Sequence, residues 1–221
     1  MFVSRTRLLE ILASKDYIFF GNISNVQWSK ALEECEKNVV EHPEYWCSLV
    51  PEQSNSWDNI GDQYFDSMRH YRDWGYTSAN TRSWETTSAV PQLHMDWEQS
   101  VIDSLPLSHA ISRPTLQQPG NVMPWHWDQF YNFKRQFPQC ADYIVRFIIF
   151  INDWTPGQFL QAGNSVISSW QAGDTILWYP DRMHLAVNAG YANKWTTNIT
   201  GILDENIKIP YTIAKDILGS P

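Results

Sequence analysis

From His109 to about Asp204 the apolar residues recur close to every second position. Pro119-Gly120, Pro156-Gly157, Ala162-Gly163, Ala172-Gly173 and Ala189-Gly190 interrupt them at short intervals. A strand turns successive side chains to opposite faces, so this pattern predicts short strands joined by glycine turns. The predicted strands are 110–118, 122–128, 143–152, 158–161, 164–170, 174–179, 183–188 and 194–203. Strands at such intervals suggest a barrel or a double-sheet jelly roll.

The first hundred residues read differently. Residues 4–14 place Leu8, Leu9, Ile11 and Leu12 at helical spacing, and Tyr17-Ile18-Phe19-Phe20 reads as a short buried strand. Ser24 with Gln27 resembles a capping box, opening a helix to about Val40 with Trp28, Leu32, Cys35 and Val39 on one face. A third helix is expected between about Ile60 and Trp74, ended by Gly75, and a fourth from Gln92 to Leu105 with Trp97, Val101 and Leu105 inward. Residues 76–90 are polar and read as a loop, a candidate lid. No repeat, low-complexity tract or linker divides the chain. The expectation is one domain over 1–221, mainly β: a helical layer in 1–108, a β core in 109–204 and a tail in 205–221.

Composition supports a globular chain, with 43% hydrophobic and 18% charged residues among 221. Twelve Trp, ten Tyr and ten Phe predict that much of the core, and a pocket wall, is aromatic. A net charge of −8 argues against nucleic acid or an anionic membrane as partner, because both attract basic surfaces. Cys35, Cys47 and Cys140 are odd in number and far apart, which suits reduced thiols. With no signal peptide or membrane span visible, a cytoplasmic location is expected.

The chemistry concentrates in Pro124-Trp125-His126-Trp127-Asp128 and in His184, fifty-six residues later. His126 and Asp128, two apart on a strand, would share a face. Two histidines and one carboxylate on one side of a metal leave the opposite positions open, as in non-haem Fe(II) oxygenases. A His-x-Asp pair alone is common, and a capped turn with a buried histidine is the readier explanation of it. Two basic residues add weight. Arg146 lies in the apolar run Tyr143–Ile151, where a guanidinium must meet an anion or reach water. Its partner is either an internal carboxylate such as Asp174 or Asp142, or a bound carboxylate. Lys194, Thr196, Asn198 and Thr200 form a polar alternate face. Turned outward they are surface residues; turned inward, Lys194 and Thr196 make a carboxylate-binding pair.

The order His126-x-Asp128, Gly173-Asp174 strand, His184 and a basic residue ten positions on resembles the Fe(II)/2-oxoglutarate-dependent dioxygenases over about residues 110–203. That resemblance implies a double-stranded β-helix with helices packed on one side. It implies Fe(II) on His126, Asp128 and His184, and 2-oxoglutarate held by Lys194 and Thr196. Lys194 stands where the family usually has arginine, although lysine serves in some branches. Arg146 would contact cosubstrate or substrate, while Trp125, Trp127, Tyr131 and Arg182 would line the substrate pocket or pack at the barrel mouth. Gln118-Pro119-Gly120, Val145-Arg146-Phe147 and His184-x-x-x-Asn188 are similar to the aspartyl/asparaginyl β-hydroxylase branch. That branch commonly lacks the metal carboxylate, which Asp128 supplies here. The implied reaction takes O₂ and 2-oxoglutarate, hydroxylates a C–H bond of a small molecule, amino acid or peptide, and releases succinate and CO₂. Two rival readings keep the barrel: a cupin-type metal enzyme without 2-oxoglutarate, and a jelly-roll binding module whose aromatics recognise a sugar or peptide. A helical metal motif with a general-base Glu, which zinc hydrolysis would use, is not seen.

Overall fold

The structure is a computed structural model, described for residues 2–50, 70–87 and 93–209. Its strands are β1 (Phe2–Ser4), β2 (Ile18–Asn22), β3 (Trp46–Ser48), β4 (Arg82–Glu85), β5 (Leu107–Gln117), β6 (Asn121–His126), β7 (Ile144–Phe150), β8 (Gln158–Ala162), β9 (Ser165–Ile167), β10 (Asp174–Leu177), β11 (His184–Asn188), β12 (Lys194–Leu203) and β13 (Asn206–Lys208). Helices α1 (Arg5–Ala13), α2 (Trp28–Glu41), α3 (Asp96–Asp103) and α4 (Tyr131–Gln136) accompany them.

The chain from β5 onward passes back and forth between two antiparallel sheets. The larger has the order β2-β10-β7-β12-β5-β4-β3 and the smaller β6-β11-β8-β9. This is a double-stranded β-helix with a jelly-roll core. Between the sheets pack Ile148, Phe150, Leu160, Ala162, Ile167, Trp170, Ile176 and Trp178. The outer face of the large sheet presents Val145, Phe147, Ile149, Trp195 and Ile199 to Leu8 and Leu12 of α1, Cys35 of α2 and Val101 of α3. Period-two alternation along β7 and β12 therefore feeds two cores, one on each face of the same sheet.

Several expectations need correction. The N-terminal stretch is not a helical layer alone: β2, β3 and β4 extend the large sheet, and β1 pairs with β13, which lies in the expected tail. Ser24 does not cap α2, which begins at Trp28 with no side-chain cap. Instead the Trp28 indole donates to Ile23 O at 2.8 Å and fixes the entry turn. The expected loop 76–90 contains β4, paired with β3 and β5, and buries Trp84 against Trp195 with ring centroids 5.9 Å apart. One large apolar side chain in a four-residue strand leaves no visible period. Most of the third helix lies outside the described residues; its end is helical at 70–73 and stops at Gly75, whose φ of +86° lets Gly75 N reach Arg72 O and Tyr76 N reach Tyr71 O. The fourth helix starts at Asp96, with the Glu98 carboxylate accepting from Met95 N at 2.8 Å. No helix among the described residues is long and apolar enough to cross a membrane.

Candidate metal centre

Strand β6 ends at His126, β11 begins at His184, and the two residues face each other across the antiparallel ladder. Their ring centroids lie 4.1 Å apart, beside a register irregularity between His184 and Ala186. Asp128 is not on the strand, so shared strand direction does not bring it to His126. The chain turns after β6, leaves Trp127 half exposed, and returns Asp128 to the interior at 6% exposure. Phe130, two residues on, takes φ +50°, a left-handed conformation that costs a bulky residue free energy.

Ligand atoms of His126, Asp128 and His184 all lie within 4.8 Å of one another. Each imidazole is aimed by the backbone carbonyl two residues before it. His126 Nδ1 lies 2.8 Å from Pro124 O, and His184 Nδ1 lies 2.9 Å from Arg182 O. A carbonyl only accepts, so each Nδ1 carries the proton and each Nε2 keeps a lone pair. Burial lowers the His126 pKa. Burial, and then the neighbouring His126, take that of His184 down to about 4. Both rings are therefore neutral at pH 7, as metal ligation requires.

Asp128 Oδ1 accepts a short hydrogen bond from Arg146 Nη1. Its Oδ2 is buried without a hydrogen-bond partner, 3.9 Å from His184 Nε2. Two inward lone pairs and one orphaned carboxylate oxygen form a donor set that a divalent cation satisfies and that neighbouring protein atoms do not. Arg146 thus meets an anion inside the fold, but neither Asp174 nor Asp142. Asp128 itself is the partner.

The polar face of β12 points inward, because Trp195, Ile199 and Leu203 occupy the outer core. Lys194 is 1% exposed; its Nζ donates to Gln117 Oε1 and Phe159 O at 3.1 Å and approaches Val187 O at 3.5 Å. The ammonium thus spans from the large sheet to β8 and β11. Every acceptor is neutral, and burial lowers its pKa to about 7. Thr196 is buried beside it in the strand, and Asn198 Nδ2 donates to Thr115 Oγ1 at 3.1 Å.

The remaining sequence-named residues divide. Trp127 and Tyr131, near the ligands in sequence, are 50% and 70% exposed, and half-buried Trp125 accepts the Tyr71 hydroxyl on its carbonyl at 2.7 Å. The Arg182 guanidinium is committed to the end of α1. Its Nη2 donates to Ala13 O and Lys15 O, and its Nη1 faces Asp16 Oδ1 at 3.7 Å, tying the β10–β11 connection to the end of α1. Sequence reasoning missed Gln117, what Thr200 does beyond belonging to the polar face, and Phe130. The first two acquire their places only through the pairing of Lys194 with Gln117 and of Thr200 with Arg146, which no local pattern announces.

The sequence matches no protein-family profile and no curated protein. Solved structures do share the fold. The non-heme alpha-ketoglutarate-dependent epimerase SnoN from nogalamycin biosynthesis aligns over 98% of this chain and 90% of its own, with TM-score 0.57 and 12% identity. The non-heme alpha-ketoglutarate-dependent carbocyclase SnoK from the same biosynthesis aligns over 91% and 86%, with TM-score 0.55 and 10% identity. A Pseudomonas putida prolyl-4-hydroxylase aligns over 90% and 98%, with TM-score 0.50 and 12% identity. At such identities the likeness is one of architecture: this chain has the double-stranded β-helix fold on which that epimerase, carbocyclase and hydroxylase are built.

Proposed function

We propose that the chain is an Fe(II)- and 2-oxoglutarate-dependent oxygenase. It hydroxylates a C–H bond of a small molecule, amino acid or peptide and releases succinate and CO₂. The observation that carries this reading is the convergence of two Nε2 lone pairs and an orphaned carboxylate oxygen in a barrel that also buries a lysine without a counter-charge. His126, Asp128 and His184 would hold the iron, which when bound supplies a redox-active centre with open positions for cosubstrate and O₂. The two histidines meet it as neutral ligands, since their Nδ1 protons are fixed on backbone carbonyls. Lys194 and Thr196 receive the far carboxylate of 2-oxoglutarate, the ammonium exchanging a neutral acceptor for an anionic one. Ile148, Phe150 and Trp178 wall the interior and exclude water. Trp127 and Tyr131, exposed and near the ligands in sequence, and Trp125 contact the substrate. A carboxylate among the ligands favours hydroxylation over halogenation, which needs that position for a halide.

The narrower resemblance to the aspartyl/asparaginyl β-hydroxylases gains no support from these residues' contacts. Gly120 turns the chain between β5 and β6 at φ +88°, and Asn188 ties Gln117 O and Ala192 O together. Free Cys35, Cys47 and Cys140 fit a reducing, cytoplasmic location.

Anaerobic titration with Fe(II) and 2-oxoglutarate tests the proposal through the weak visible charge-transfer band of the chelate, followed by succinate release in air. His184→Ala should abolish both. Lys194→Ala should raise the 2-oxoglutarate requirement while leaving metal affinity unchanged. Metal binding without band or succinate would instead support a cupin-type metal enzyme, and no metal binding would leave a binding module.

A further inference from the structure

The guanidinium of Arg146 is held from two sides. Nη1 donates to Asp128 Oδ1, and Nε donates to Thr200 Oγ1 at 3.1 Å. The Phe130 ring centroid lies 5.4 Å from its Cζ. Thr200 is the residue opposite Arg146 in the β7–β12 ladder and also pairs with Ile111 of β5, so the anchor belongs to a strand held on both sides. Asp128, in contrast, lies two residues beyond the end of β6, in irregular chain outside the ladder. Rigid sheet thus reaches across the barrel through one side chain and grips the least supported of the three candidate ligands.

The grip is selective. Oδ1 is taken by the guanidinium, while Oδ2, on the side of His184 Nε2, has no hydrogen-bond partner. A carboxylate free to turn can offer a metal either oxygen or both. One whose Oδ1 is engaged in a charge-assisted hydrogen bond offers a single oxygen. Resting on the metal-site reading above, we infer that Arg146 is a positioning residue: it holds Oδ1 of Asp128 so that Oδ2 alone ligates, keeping a coordination position open that a two-oxygen carboxylate would occupy. This role differs from a contact to cosubstrate or substrate. It also needs the planar fork of arginine, because the two anchors are met by different nitrogens of one plane. A lysine can reach one anchor at a time.

Co(II), which is stable in air and reports coordination number through its visible d–d bands, is the probe. Wild type, Arg146→Gln, Arg146→Lys, Thr200→Val and His184→Ala are titrated with Co(II), and the melting temperature of each metal-free protein is recorded. His184→Ala should lose binding. Arg146→Gln should bind about 10- to 100-fold more weakly, the range for loss of a partner behind a metal ligand. Its d–d bands should weaken as the second carboxylate oxygen joins the metal. Arg146→Lys should fall between, and Thr200→Val should shift the spectrum the same way by less. If Arg146→Gln proves unstable, the lysine and Thr200→Val variants carry the test. Wild-type affinity and spectrum in the Arg146 and Thr200 variants, with binding lost in His184→Ala, overturns this inference alone. Wild-type binding in His184→Ala overturns the metal centre and the inference with it.

Discussion

A lysine whose ammonium is surrounded by neutral acceptors titrates where a solvated lysine does not. Burial takes Lys194 from its ordinary 10.5 to about 7. Between those values the unfolded chain binds a proton that the folded chain has released, so folding stability rises with pH across that window. Below the lower value both states are protonated and the contribution is constant. Urea unfolding of the metal-free protein should show this rise between about pH 7 and 9, and Lys194→Met should flatten it. A carboxylate placed beside Nζ restores the ordinary preference for the charged form. If Lys194 receives 2-oxoglutarate as proposed, binding at pH 8 should therefore take up a proton, seen by calorimetry in buffers of different ionisation enthalpy; no uptake would remove Lys194 from the proposed site. At this scale the sequence was informative where residue type dictates chemistry. His126, Asp128 and His184 could be singled out by residue type, and the fold brings their ligand atoms within 4.8 Å of one another. Direction was less legible. The two-residue spacing predicts Asp128 on a strand that the chain has already left, and the partner of Arg146 and the place of Arg182 depend on contacts 18 and more than 160 residues distant.

Turns carry the elements, and two of them meet. Gly157 has φ +94°, and a Cβ built on it would lie 2.6 Å from Gly190 Cα and 2.7 Å from Gly190 N. The contact is real backbone packing, since Ala189 N also donates to Gly157 O at 2.9 Å. Gly120 has a similar φ of +88° with nothing within 4 Å of its Cβ position. Gly120→Ala should thus cost backbone strain alone, about 1 kcal/mol, while Gly157→Ala should cost about 3 kcal/mol or more because the facing turn must also move. Urea denaturation of the two variants checks the difference; equal losses would mean that the second turn yields freely. The same glycines made the strands readable. From β5 to β12 each predicted strand exists, because alternation and turn chemistry agree there. Prediction failed where a local signal was too brief or pointed wrongly. Strand β4 shows one buried aromatic, and Ser24 has capping chemistry but the indole of Trp28 secures the turn instead.

Across the whole molecule, one sheet separates what keeps the fold together from the side chains of the proposed site. On β12, Trp195, Ile199 and Leu203 enter the outer core under the helices, whereas Lys194, Thr196, Asn198 and Thr200 face the barrel interior. The sequence revealed the alternation but not its sense, because which face turns inward depends on the N-terminal helices covering the other. An acidic chain of net charge −8 can accordingly hold Arg146 and Lys194 within, since overall charge and the charge of the cavity lie on different surfaces. If the partition is real, neighbouring residues on β12 should fail in different ways. Ile199 is fully buried among Val145, Phe147 and the helices, and Ile199→Val should cost about 1 kcal/mol of stability through the lost methyl group. Its Co(II) affinity and spectrum should stay those of the wild type. Thr200→Val, one position along, should disturb the Co(II) spectrum through Arg146 and cost less stability than its effect on the metal would suggest. Paired unfolding and Co(II) titrations on the two variants measure both quantities. A change in Co(II) binding in Ile199→Val comparable to that in Thr200→Val would show that the sheet transmits packing strain to the metal centre, and would refute a division of labour between its faces.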